Sequence, residues 1–149
     1  MKEKRRYKEW NEEKFFPQAK KRISPDRLKL LREVFDSFQK KGLIKYGTGF
    51  DTGNLGVYFR RSRDLSSIWT IDTKGYVRLG LGWLSKKDEI KEDDLDSLVK
   101  LCKFLAEDFD ENREWQSYYP AFDIIKLKKE ENMKRFISET EKFLVKLSN

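Results

Sequence analysis

The chain has 149 residues, 40% of them charged, with a formal net charge of +7 and no histidine. This length suffices for one domain whose core needs no disulfide or metal support. A single cysteine rules out an internal disulfide, and without histidine the usual general base and metal ligand are missing. That argues against zinc chemistry and leaves any catalysis to carboxylates, lysine or tyrosine.

No apolar run reaches the roughly 18–20 residues of a membrane span. The opening MKEKRRYKEW is too charged for the start of a signal peptide. A cytoplasmic protein with no membrane partner is the expectation. The charge is uneven: residues 1–50 hold 15 Lys/Arg against 7 Asp/Glu, and residues 84–123 hold 6 against 12. A basic N-terminal third attracts polyanions, although a Lys/Glu-rich chain that merely keeps its helices solvated gives similar counts.

Residues 1–9 form a charged extension, and residues 10–149 are expected to make one α+β domain. Asn11 is placed to cap a helix, with Trp10 and Phe15 as the flanking hydrophobic pair. Pro17 predicts a kink or break in that helix. Ser24-Pro25-Asp26 predicts a second helix start: a cap, a proline in the first helical position and an acid in the first turn. Leu28, Leu31, Val34, Phe35 and Phe38 supply its apolar stripe, and Gly42 its end.

Leu43–Tyr46 suits a short strand before the turn Gly47-Thr48-Gly49. Asn54–Arg61 alternates as a second strand. Ser67–Ile71 and Tyr76–Leu84 predict a hairpin around Asp72-Thr73-Lys74-Gly75, with Gly75 in the left-handed position. A three-residue loop sets Ile71 opposite Val77 and Trp69 opposite Leu79, so that the four apolar side chains share one face. The other face then carries Thr70, Asp72, Tyr76, Arg78, Gly80 and Gly82. A helix is expected over Glu92–Phe109, a polar aromatic loop over 110–119, and a strand or extended segment over Ala121–Leu127. Met133, Phe136, Ile137, Thr140, Phe143, Leu144 and Leu147 recur at helical spacing. The sum is a three- to four-stranded antiparallel meander flanked by N- and C-terminal amphipathic helices.

Few residues suggest chemistry. The glycines Gly47, Gly49 and Gly53 are not followed by Lys-Ser/Thr and a helix, so they suit a turn rather than a phosphate loop. Asp72-Thr73-Lys74, with Asp51 as an earlier carboxylate, matches the short acid-x-lysine element of metal-dependent nucleases. Its predicted hairpin-tip position works against that reading, because such residues must converge from within a strand. The acids Asp88 to Asp96 suit a helix start.

Arg60, Arg61, Arg63, Lys74 and Arg78 form the sharpest basic cluster, with Tyr58 and Tyr76 in phase with Arg60 and Arg78. Arginines supply phosphate contacts and interleaved tyrosines can stack on bases. A helix over the glycine-bearing face would instead bury Arg78 in an ion pair and leave only solvated turn arginines. Trp115, Tyr118 and Tyr119 are either packing or a surface for a protein partner. Lys2, Lys4, Arg5, Arg6 and Lys8 are either a basic arm or an ordinary charged terminus.

The series Trp10-x-Glu-Glu-x-Phe, Tyr46-Gly-Thr-Gly…Gly53, Ser67-Ile-Trp-Thr…Gly75-x-Val-x-Leu…Gly82-Trp-Leu and Tyr119-Pro120 resembles an uncharacterised family of small prokaryotic α+β domains. The resemblance implies a domain found alone or attached to larger proteins, some of them nuclease-like, with no established activity. That pattern places a serine and an aromatic residue after the Gly53 position. Here Asn54-Leu55 stand there, and no catalytic residue carries over.

The sequence therefore favours a non-enzymatic, cofactor-free accessory or nucleic-acid-binding module. A protein-interaction subunit is the alternative, followed by a metal-dependent nuclease.

Overall fold

A computed structural model describes residues 10–40, 44–47, 52–61, 64–84, 90–106 and 120–148. For residues 58–61, 64–66, 82–83, 92, 94 and 147–148 only the backbone is described. The charged extension 1–9, Gly42, Asp51, Arg63 and the aromatic segment 115–119 lie outside these residues.

Helix α1 (Glu12–Arg22) starts as its sequence dictates, with the Asn11 side chain accepting from the Lys14 backbone N–H. It runs through Pro17 rather than breaking there. Proline removes one hydrogen bond and costs about 3 kcal/mol in a helix interior. Pro17 is solvent-exposed, so the unpaired carbonyl one turn back can meet water, and burial of Phe15, Phe16 and Ala19 offsets the loss. Helix α2 (Pro25–Gln39) begins at Ser24, whose hydroxyl accepts from the Arg27 N–H. Its core face is Leu30, Leu31, Val34, Phe35 and Phe38, while Leu28 is only half-buried.

Five antiparallel strands follow in the order β1-β2-β3-β4-β5. They are β1 (Ile44–Tyr46), β2 (Asn54–Arg61), β3 (Asp64–Asp72), β4 (Tyr76–Leu79) and β5 (Ala121–Asp123). The β3–β4 register is Ile71 to Val77 and Trp69 to Leu79, with Gly75 at φ 84°. That left-handed conformation is cheap for glycine alone, which is why the three-residue loop forms here.

Several boundaries differ from expectation, among them the start of β3 at Asp64 rather than Ser67 and the α-helix over Asp96–Leu105 where Glu92–Phe109 was expected. Strand β4 stops at Leu79, and Leu81–Leu84 form a helical turn, α3. A turn brings Leu81 and Leu84 into the core together, which strand alternation cannot do, so Gly82 leaves the sheet face. The Ala121–Leu127 segment divides into β5, paired with β4, and a 3-10 turn over Ile124–Lys128. A second 3-10 turn, Glu92–Leu95, precedes α4 (Asp96–Leu105), and α5 spans Glu130–Ser148.

The core lies on one side of the sheet. Leu55, Val57, Trp69, Ile71, Val77, Leu79 and Phe122 are buried with the aromatic faces of α1, α2 and α5. Trp69 sits edge-on to Phe38 at 5.6 Å and tilted on Phe136 at 5.0 Å. Its indole N–H donates to Thr140 Oγ1 at 3.0 Å, and the Thr140 hydroxyl donates to the Phe136 carbonyl at 2.7 Å. A bulge in β3 between the pairs Val57–Trp69 and Tyr58–Ser67 makes Ile68 the extra residue. Consecutive residues Ile68 and Trp69 are consequently both buried. Helix α4 packs on α5. No helix among the described residues is long and apolar enough to cross a membrane.

Thr140→Val keeps the shape but leaves the buried indole N–H without an acceptor. The expected loss is about 1–3 kcal/mol, read from urea unfolding, and Thr140→Ser, which keeps the hydroxyl, should lose less. An unchanged urea midpoint for the valine variant would show that the bond contributes nothing net.

Candidate functional site

Because the aromatic helices cover only one side of the sheet, the other side is where a binding surface can form. One row of paired residues crosses all five strands there: Lys45, Gly56, Thr70, Arg78 and Ala121. Each strand alternates, so these residues point away from the core that Leu55, Val57, Trp69, Ile71, Val77 and Leu79 enter. Lys45 and Arg78 are exposed. Tyr76, two residues before Arg78, is 50% exposed. Of the two alternatives the sequence left open, Arg78 is exposed rather than buried in an ion pair under a helix. Gly56 and Ser67 on the same side are buried and Thr70 is half-buried, so the strip is exposed at its two sides, at Lys45 on β1 and at Tyr76 and Arg78 on β4, with Gly56 and Thr70 between them. Gly56 keeps the row flat: a Cβ there would stand 2.8 Å from the Trp69 carbonyl oxygen and push β3 away.

The hairpin tip at one end of the strip is held from both helices. Asp72 Oδ1 accepts from the backbone N–H groups of Lys74 and Tyr76, at 2.9 and 3.1 Å. Thr73, fully buried, donates through its hydroxyl to Gln18 Oε1 at 2.7 Å and accepts from Arg22. The Gly53 N–H donates to the same Gln18 oxygen. The Ile124 N–H donates to the Gly75 carbonyl at 2.8 Å. Arg27 closes the arrangement with two hydrogen bonds to Asp123, Nε to Oδ1 at 3.0 Å and Nη2 to Oδ2 at 2.8 Å.

These bonds settle the electrostatics. Asp123, paired in register with Tyr76, has its carboxyl held below the ordinary range by the Arg27 hydrogen bonds, against burial and with help from the Ile125 N–H. Asp72 is occupied by the turn. Lys45, Lys74 and Arg78 take part in no ion pair with a described residue. The strip is therefore locally cationic.

The basic residues singled out from sequence fall into two groups. Lys74, Tyr76 and Arg78 lie together at the β3–β4 end. Tyr58, Arg60 and Arg61 lie on β2, paired with Ser67, Leu65 and Asp64 at the opposite end of β3. Asp64 and Asp72 bound that strand, and about 3.4 Å per residue separates its ends by about 27 Å. Beyond the pairs with β1 and β4, the 58–61 and 64–67 segments pair only with each other among the described residues, forming a two-stranded ribbon. Arg63, Trp115, Tyr118 and Tyr119 lie outside the described residues. Lys45 was missed by sequence reasoning, although its place between Ile44 and Tyr46 is the alternation that exposes it.

The described part of the acid-x-lysine element is taken up by the hairpin tip. Asp72 serves the turn, Lys74 is exposed at its tip, and Asp51 is outside the described residues. Among the described residues no group of three acidic or cysteine side chains could hold a metal. Burial raises the Cys102 thiol, which disfavours the nucleophilic thiolate at neutral pH. Burial, reinforced by Glu12, pushes Tyr46 up to about 12, too high for a base at neutral pH. A groove of about 800 Å³ between α1 and α2 is bordered by Phe16, Pro17, Pro25 and Leu28. Arg32 stacks over Phe16 at its edge and is bonded to Glu12, so that rim offers a settled pair rather than an open charge. No protein-family profile, curated protein or solved structure matches the chain.

The Arg27–Asp123 link carries a pH signature. The folded carboxyl lies below its unfolded value near 3.9, so its stabilisation is complete above that value and is lost as pH falls through the folded one. The urea midpoint should drop in this acid range, and Asp123→Asn should flatten that part of the profile. An identical acid limb in both proteins would mean the link is not coupled to unfolding.

Proposed function

We propose that this protein is a non-enzymatic nucleic-acid-binding or accessory module. The observation that carries the reading is the placement of Tyr76, 50% exposed, beside exposed Arg78 on the side of the sheet opposite the aromatic core. A cation and a planar ring two residues apart on one strand face meet a phosphate and a base from the same direction. Lys45 and Lys74 extend the cationic strip across and along the sheet. Of the two carboxylates beside it, Asp123 is offset by Arg27, which lowers the repulsion a polyanion would meet, while Asp72 keeps its charge against three cations. The formal charge of +7 favours encounter with polyanions over long range.

Arg60 and Arg61 give a second basic element at the far end of β3, and the module extends to them. Both groups serve phosphate contact, with no base-specific contact required. The sequence resemblance brings no residue role to this surface.

Fluorescence anisotropy with labelled DNA and RNA should show binding that weakens steeply with salt. Lys74→Ala with Arg78→Ala should weaken binding evenly across sequences and lower the salt slope by about one per cation removed. The triple change of Arg60, Arg61 and Arg63 to Ala tests the second group in the same way. Salt-independent binding, or variants that bind like the parent, would sink the reading.

A further inference from the structure

We infer that the ligand of the open strip is a single strand of nucleic acid, engaged by stacking on Tyr76. This rests on the nucleic-acid reading above and goes beyond it by naming the strand state. Tyr76 is the exposed aromatic of the sheet among the described side chains. Its backbone is fixed from three sides: the N–H is held by Asp72 Oδ1, Gly75 beside it is held by the Ile124 N–H, and its paired residue Asp123 is clamped by Arg27. The ring is thus carried on a rigid edge and faces solvent.

A solvent-facing ring gains from a base only when the face of that base is uncovered. In a duplex the base faces are stacked on one another, and only the groove edges and phosphates are offered to a flat sheet. In a single strand each base has an open face, and stacking tolerates any sequence. Arg78, two residues along β4, and Lys45, in the same cross-strand row, then stand where the backbone of such a strand can pass. The row from Lys45 to Arg78 crosses three strand spacings of about 4.8 Å, or about 14 Å. A segment of a few nucleotides spans that distance, and the exposed ring rather than the span is what distinguishes the strand state.

The test compares one mixed-sequence oligonucleotide alone and annealed to its complement, by anisotropy, at about 50 and about 200 mM salt. The single strand should bind more tightly than the duplex. With phosphate contacts from Lys45, Lys74 and Arg78 its affinity should fall roughly 20-fold between the two salts. Tyr76→Ala should weaken single-strand binding by about five-fold or more, while Tyr76→Phe should keep it. Tyr76 is exposed, so neither change disturbs the core, and matching circular dichroism spectra check this. Duplex binding equal to or tighter than single-strand binding, through the 58–67 ribbon for instance, would overturn the inference and leave the nucleic-acid reading intact. The same follows if Tyr76→Ala binds like the parent. Failure of both ligands to bind at the lower salt would overturn the two together.

Discussion

Trp69 is the residue through which the domain is tied together. It is fully buried on the central strand, with α2 on one side through Phe38 and α5 on the other through Phe136. An apolar ring alone would be satisfied by any close-packed neighbour. The indole N–H is more demanding, since an unpaired buried donor costs about 1–3 kcal/mol. Thr140 meets that demand while giving its own proton to the Phe136 carbonyl, so no buried side-chain polar atom is left unpartnered among the described residues. The bond fixes the rotation of α5 about its axis as well as its distance from the sheet. The β-bulge at Ile68 serves the same end, because it turns two successive bulky residues to one side of the strand.

Concentrating the aromatic residues on one side determines what the other side can be. Phe15, Phe16, Phe35, Phe38, Phe136 and Phe143 are all buried on the helix side. Among the described side chains the opposite face exposes Lys45, Tyr76 and Arg78, beside half-buried Thr70 and buried Gly56 and Ser67. A surface of this kind is useful only if it is rigid, and the β3–β4 tip is held accordingly. Gln18 and Arg22 reach it from α1, Arg27 from α2 through Asp123, and Ile124 from the segment after β5. The polar network that borders the strip is therefore also what joins the sheet to its helices.

Local signals were legible in the sequence and distant partnerships were not. Asn11 and Ser24 cap the helices they precede, because capping depends on residues three positions apart. The β3–β4 register followed from Trp69, Ile71, Val77 and Leu79 alternating about a loop that ends in glycine. The end of β4 misled for the same reason: Leu79, Leu81 and Trp83 continue a period of two, yet Leu81 and Leu84 also fit one helical turn. Only the core can choose between those periods. Ile68-Trp69 was likewise ambiguous, since two adjacent apolar residues do not announce a bulge. The Gln18–Thr73 and Arg27–Asp123 bonds join residues far apart in sequence, and nothing in the local pattern marks them.

The basic cluster shows the same limit on a functional question. Arg60, Arg61, Lys74 and Arg78 are close along the chain, and their closeness suggested one surface. An antiparallel strand reverses that inference, because the Arg61–Asp64 pair and the Asp72–Gly75 turn stand at opposite ends of β3. Chain proximity survives only for residues sharing one turn, here Lys74, Tyr76 and Arg78. Formal charge needs the same correction. Asp72 and Asp123 sit beside those cations and would cancel much of their field if counted as isolated charges. Asp123 is bonded to a guanidinium whose positive charge offsets its own, whereas Asp72, bonded to neutral turn amides, keeps its charge and subtracts from the field. What a polyanion meets on this face is thus set by which charges already have partners, and Lys45, Lys74 and Arg78 have none among the described residues.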